Sequence, residues 1–260
     1  TLTVDQANTI AGYTSGTMTA QIAAGTAKAL TALNGTGNAY TLDVSDGANV
    51  DAADLLALNG KTTVAVDLQA ISAAGTALNG NYTELKALFA AAAEGDYSGL
   101  AADLPITIDD NVSVSQANEI HALTSAAVTA TISDTVLADY AGLEGTGNAY
   151  TISIGDAALD ADALEALNAK TSVDITLTGD TSISGTLANV NAVIVTKTGY
   201  DNTTINTALN VNITDTISAA NAELILNDTT GVVTATIAPD TAANINNAFA
   251  ANATATDLLS

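Results

Sequence analysis

The chain has 260 residues, 48% of them hydrophobic, with no Cys, no Trp and no Arg, and a formal net charge of −23 from 28 acidic residues against five Lys. That balance excludes nucleic-acid binding, which needs clustered cations to neutralise phosphates, and it repels an anionic membrane surface. Without Cys there are no disulfides or thiolate metal sites, and no apolar run approaches the ~20 residues of a membrane-spanning helix, so membrane insertion is not expected.

In chain order, the pattern first predicts a short helix over 4–10 (VDQANTI) with Asp5 as its cap. A strand follows in which Met18, Ala20 and Ile22 face inward. A helix end at Asn34-Gly35, where Asn and Gly tolerate the left-handed conformation, opens the loop GTGNAYT over 35–41. Tyr40, Leu42 and Val44 then give a second alternating strand. Asp51 caps another helix, which ends at Asn59-Gly60, and Val64, Val66 and Leu68 alternate in a third strand. Residues 69–104 break the rhythm with a helical insert around 83–93 (TELKALFAAAA).

From there the sequence repeats itself. VSQANEI at 114–120 matches 4–10 at an offset of 110, and GTGNAYT returns at 145–151. DADALEALNAKTSVDITL at 160–177 matches 51–68 at an offset of 109. Ser115 and Asp160 take the capping positions. The strands Val128, Ala130, Ile132, then Tyr150, Ile152, Ile154, then Val173, Ile175, Leu177 repeat the alternation. Residues 178–213 are irregular, and LANVNAVIVTK and TALNVNITD there read as strands and turns. A third copy starts at ISAANAELI, capped by Ser218, and includes the strand Val233, Ala235, Ile237. The division is therefore 1–110, 111–213 and 214–260.

Strand centres at Ala20, Leu42 and Val66 lie 22 and 24 residues apart. A helix–strand unit that short cannot bury its apolar face alone and must stack on its neighbours. The expected fold is an α/β repeat: a right-handed solenoid of about 22–24-residue helix–strand units, with one parallel β-sheet face and short helices opposite. Gln6 and Gln116, Asn8, Asn118 and Asn221, and Tyr40 and Tyr150 recur, as packing and ladder residues should. In GTGNAYT the glycines sit between a helix end and a strand. That is the reverse of a dinucleotide fingerprint, and no Gly-Lys-Ser/Thr follows as in a Walker loop, so the loop reads as a turn.

Residues for chemistry are scarce. His121 is the only histidine and its counterpart is Ala11, and no GxSxG or HExxH occurs, so the chain reads as non-enzymatic. Catalytic residues: none; organic cofactor: none. Calcium is the one ion the pattern allows, with Asp46, Asp51, Asp156 and Asp160 as ligands beside Asn49, Asp54 and Asp162, although the EF-hand spacing is missing and Asp51 and Asp160 compete as helix caps. Thr19, Thr41, Thr129, Thr131, Thr151, Thr234 and Thr236 face outward, which makes ice binding a remote alternative. Asp43, Asp67 and Asp174 interrupt that array.

QANxI, VTATI, GTGNAYT and DAxxLxALNxKT together resemble the repeat modules of giant Ala/Thr/Asp-rich repetitive surface proteins of marine picocyanobacteria and their phages. The resemblance covers most of 1–68, 112–177 and 215–237. It implies an extracellular, cell-surface or virion-surface location and carries over no functional residues. The chain starts at Thr1, as expected of a processed chain or a piece of a longer one. The function expected is that of a structural repeat protein: a rigid spacer, or an element that assembles with itself end to end or laterally into a filament, sheet or fibre. The alternative is an adhesin or phage receptor-binding module that meets a cell surface through the irregular inserts.

Overall fold

A computed structural model describes residues 1–249 and 257–260. The chain is a mixed α/β protein of parallel strands and short helices, in open sheets. It divides into two compact units, Thr1–Thr131 and Ile132–Ser260, with the boundary inside the strand Val128–Ile132.

In the first unit Thr19–Gln21 runs parallel to Ala39–Thr41, and Thr19 lies opposite Ala39, 20 residues on. Asn38 bridges Thr62, and Asp43 bridges Asp67, each 24 residues on. Asn49–Asp51, Ala77–Gly80, Ile106–Val112 and Val128–Ile132 lie side by side in a second sheet, and Val66–Asp67 pairs with Tyr97–Ser98. In the second unit Ser153–Ile154 pairs with Thr176–Leu177. A five-stranded parallel sheet follows in the order Ala158–Asp160, Ser182–Gly185, Asn210–Ile217, Val233–Ile237 and Leu258–Leu259. The core is the inward stripe of each strand: Tyr40, Leu42 and Val44 are fully buried, as are Tyr150, Ile152 and Ile154. Alternation of the side chains across each strand puts Thr41 and Thr151 outside.

The structure corrects several details of the sequence reading. The first helix, Val4–Ala11, is capped by Thr3 rather than Asp5, and Val114–His121 by Ser113 rather than Ser115. In both, the hydroxyl accepts from the backbone N–H of the Gln three residues on, and that Gln side chain accepts in return from the cap's N–H. This reciprocal box explains the recurrence of Gln6 and Gln116. Asn221 is the counterpart of Gln6, not of Asn8, because its N–H donates to the Ser218 cap.

The helix Ala27–Leu30 stops before Asn34-Gly35. Gly60 follows Ala52–Asn59 at φ −66°, an ordinary right-handed conformation that its counterpart Ala169 shares at φ −65°. Val64 is 38% exposed rather than inward. It belongs to a turn in which its N–H donates to Thr62 Oγ1 at 3.1 Å, and the strand starts at Val66. The pattern also hides a second strand in each unit, such as Asn49–Asp51, which runs straight into a helix.

The inserts differ in kind. The first holds Gln69–Ala74, the strand Ala77–Gly80 and the helix Tyr82–Glu94, which is capped by Asn81 and closed by left-handed Gly95. In the second, Asn210–Ile217 is a strand, but residues 187–196 are helical: Leu187–Asn191 continues as a π-turn Ala192–Thr196 that ends at left-handed Lys197. Val190, Val193 and Ile194 are buried. Steps of three and four are a helical face, and here tertiary packing overrides the strand preference of β-branched residues.

Candidate functional site

The loop GTGNAYT is a turn with the same conformation in both copies. Gly35 and Gly145 sit at φ 77°, and Gly37 and Gly147 at φ 76°, a region closed to most side chains. Asn38 Oδ1 accepts from the Met18 backbone N–H at 3.0 Å, so the Asn ties the loop to the preceding segment. Tyr40 and Tyr150 are fully buried. The Tyr40 hydroxyl lies 3.7 Å from Met18 Sδ, whereas the Tyr150 hydroxyl has no hydrogen-bond partner among the described residues. The counterpart of Met18 is Val128, which brings no acceptor. Burial pushes the Tyr150 phenol up to about 12.

A second recurring device was not read from the sequence. Thr62-Thr63, Thr124-Ser125, Thr171-Ser172 and Thr229-Thr230 form the same clasp. The first hydroxyl donates to a carbonyl of the preceding segment: Thr62 to Tyr40 at 2.6 Å, Thr124 to Leu104 at 2.7 Å, Thr171 to Tyr150 at 2.7 Å and Thr229 to Leu209 at 2.6 Å. The same oxygen accepts from the N–H two residues on. The second residue donates its backbone N–H to the carbonyl of Asn38, Ala102, Asn148 or Thr207 at 2.8–2.9 Å. Each clasp satisfies buried carbonyls that a plain ladder would leave open. The signal was present in the sequence as Thr-Ser/Thr pairs at matching repeat positions. Asn8 works similarly, donating from Nδ2 to Ala32 O at 2.9 Å and accepting at Oδ1 from Asn34 N at 2.7 Å.

The four candidate calcium ligands are spread over helix starts. Asp46 Oδ2 accepts from Ala27 N at 2.7 Å, and its counterpart Asp156 from Leu137 N at 2.5 Å. Asp51 accepts from Ala53 N at 2.8 Å, and Asp160 from Asp162 N at 2.9 Å and Ala163 N at 3.2 Å. These are favourable places for a carboxylate, beside the partial positive charge of a helix N-terminus. Among the described residues no three His, Asp or Glu side chains gather closely enough to hold a metal ion. Asp109 has its carboxyl held above the usual range, by burial first and then by Asp51, Glu84 and Asp110. His121 keeps a buried Nδ1 without a hydrogen-bond partner among the described residues, so none of their side chains orients the ring through that nitrogen. On the outer face Asp43 and Asp67 stand at bridged positions, which places two carboxylates side by side in the threonine array.

No protein-family model, no curated protein and no solved structure matches the chain. No helix among the described residues is long and apolar enough to cross a membrane.

Proposed function

We propose that the chain is a non-enzymatic structural repeat module of an extracellular or virion surface, wound as a right-handed solenoid and acting as a rigid spacer or self-assembling element. The observation that carries this reading is the clasp: one hydroxyl-to-carbonyl bond of 2.6–2.7 Å recurs at four matching positions. A catalytic residue has no reason to recur at each unit, whereas a residue that holds one coil to the next does. Parallel register at offsets of 19 to 25 residues, lengthening to 28 and 31 at the inserts, supports short coils of unequal length. The carboxylates at helix starts support a role for the acidic surface in solubility, with calcium acting by diffuse screening and bridging between molecules.

Small-angle scattering and electron microscopy of the purified chain, with calcium and then with chelator, test this. Rods of constant width, alone or end to end, are expected in either condition, with lateral bundles only in calcium. Compact spheres would contradict the solenoid. An ion-binding isotherm that saturates at a fixed small number of sites would contradict diffuse screening.

A further inference from the structure

We infer that the groove between the short helix Leu137–Gly142 and the helix Ala161–Asn168 binds a small amphiphile, an apolar body with one anionic head such as a fatty-acid anion, and that the head pairs with Lys170. This goes beyond the structural reading above and does not rest on it, because the groove lies inside the second unit, between two of its own helices.

The two copies of the sequence build this groove from matching residues. In the first copy Ala27–Leu30 packs beside Ala52–Asn59, and in the second Leu137–Gly142 packs beside Ala161–Asn168. An ion pair straps the first groove: Lys28 Nζ lies 3.3 Å from Asp54 Oδ1. The counterpart of Lys28 is Ala138 and that of Asp54 is Ala163. Both charges are therefore missing together in the second copy, and there the groove opens as a cavity of about 300 Å³.

The cavity has a buried apolar floor. Leu137, Tyr140 and Leu167 line it, and each is more than nine-tenths buried. Tyr140 stands where the first copy has Leu30, and its hydroxyl donates to the carbonyl of Asp134, which fixes the ring. Ala138 and Ala163 also line the cavity but are exposed, so short methyl groups leave its mouth open to solvent. Its volume lies at the small end of ligand pockets, and walls of this kind favour a hydrocarbon body over water.

Charge selects the head. Among the described residues that line the cavity, Lys170 alone is charged. The matching set in the first copy, Lys28, Asp54 and Lys61, includes an acid, whereas the second copy keeps only the lysine. Lys170 is half-buried, and among the described residues its ammonium makes no ion pair, in a chain with 28 acidic residues to five Lys. A lysine lays its methylene stem along apolar surface and turns its ammonium to water, which sets the charge beside the mouth rather than in the floor. The net charge of −23 opposes anions at long range, so selection here acts by contact and not by steering.

Octanoate, held below its micelle-forming concentration and titrated into the methyl-labelled full chain, tests this by nuclear magnetic resonance. The methyl signals of Leu137, Ala138, Ala163 and Leu167 are expected to shift together and saturate, with a Kd on the order of 1 mM. Lys170→Gln is expected to weaken octanoate about two- to fivefold at low salt and to leave octanol unchanged. Ala138→Lys with Ala163→Asp rebuilds the strap from residues that the first copy already carries. It is expected to abolish saturable binding while keeping wild-type circular dichroism. Shifts that never saturate, or a double variant that folds and still binds octanoate as wild type does, would overturn the cavity as the site. Octanoate affinity unmoved by Lys170→Gln, or octylammonium bound as tightly as octanoate, would overturn the anionic head. The comparison of octanoate with octanol in Lys170→Gln decides without the double variant, and either result leaves the spacer reading as it stands.

Discussion

Two helices with nearly the same sequence, Val4–Ala11 and Val114–His121, share a cap, a capping box and a buried Ala, yet differ in what covers them. Ile120 lies under a preceding helix and is fully buried, whereas Ile10 is 44% exposed. The Thr124 hydroxyl donates to Leu104, whereas the Thr14 hydroxyl donates to no described residue. Local structure is therefore set by the segment itself, while stabilisation is set by its neighbour. In a repeat protein the energy lies in the interfaces between units.

That comparison can be broken by paired substitutions. The largest contrast should come from Ile120→Ala, which leaves a cavity in a closed site and should destabilise by about 2–5 kcal/mol, against less than about 1 kcal/mol for Ile10→Ala, both read by denaturant unfolding. Next, Thr62→Val leaves the Tyr40 carbonyl unsatisfied and should cost about 1–3 kcal/mol, while Thr14→Val stays within about 0.5 kcal/mol. Equal losses at the two threonines would remove the clasp from the account.

Glycines separate in the same way. Gly147→Ala forces a side chain into the left-handed region at φ 76° and should cost about 1–2 kcal/mol. Gly60→Ala meets only an ordinary 3.5 Å contact and should gain about 0.4–1 kcal/mol by restricting the unfolded chain. Thermal melts distinguish the two signs.

The smallest effect is at the buried phenols. Tyr150→Phe removes a hydroxyl without a partner among the described residues and should be neutral or stabilise by up to about 1 kcal/mol. In the unfolded chain tyrosine ionises near ~10. Burial raises Tyr150 to about 12 and, as the first cause, also raises Tyr97, Tyr140 and Tyr200. The stability these neutral phenols hold is complete below the unfolded value and is lost as pH climbs through the folded one. Phenolate absorbance should therefore rise together with the loss of circular dichroism, and a phenolate signal that completes while the fold is intact would contradict the burial.

The repeat, the inward stripes and the reading of GTGNAYT as a turn were legible in the sequence because duplication and the alternation of half-buried strands show directly in the order of residues. Three things were not. Caps at Thr3 and Ser113 were displaced by two residues because Asp5 and Ser115 are themselves good helix-start residues; the box with Gln6 and Gln116 decides between them. Residues 187–196 misled because Val and Ile favour strands, while the buried spacing that makes them helical depends on what they pack against. Clasps escaped because Thr-Ser pairs look like soluble turn residues until the carbonyl above them is in view. The acidic residues were legible only as a cluster in sequence: that Asp46, Asp51, Asp156 and Asp160 each accept from a backbone N–H at a helix start depends on the fold around them.

The most direct measurement is amide hydrogen exchange at five matching positions: Ser15, Thr63, Ser125, Ser172 and Thr230. In dilute single chains the last four should be protected by orders of magnitude, since each donates to the preceding segment at 2.8–2.9 Å, while Ser15 should exchange at nearly the unfolded rate. Fast exchange at the four, or slow exchange at Ser15 in dilute single chains, would contradict the claim that these recurring residues hold one coil to the next.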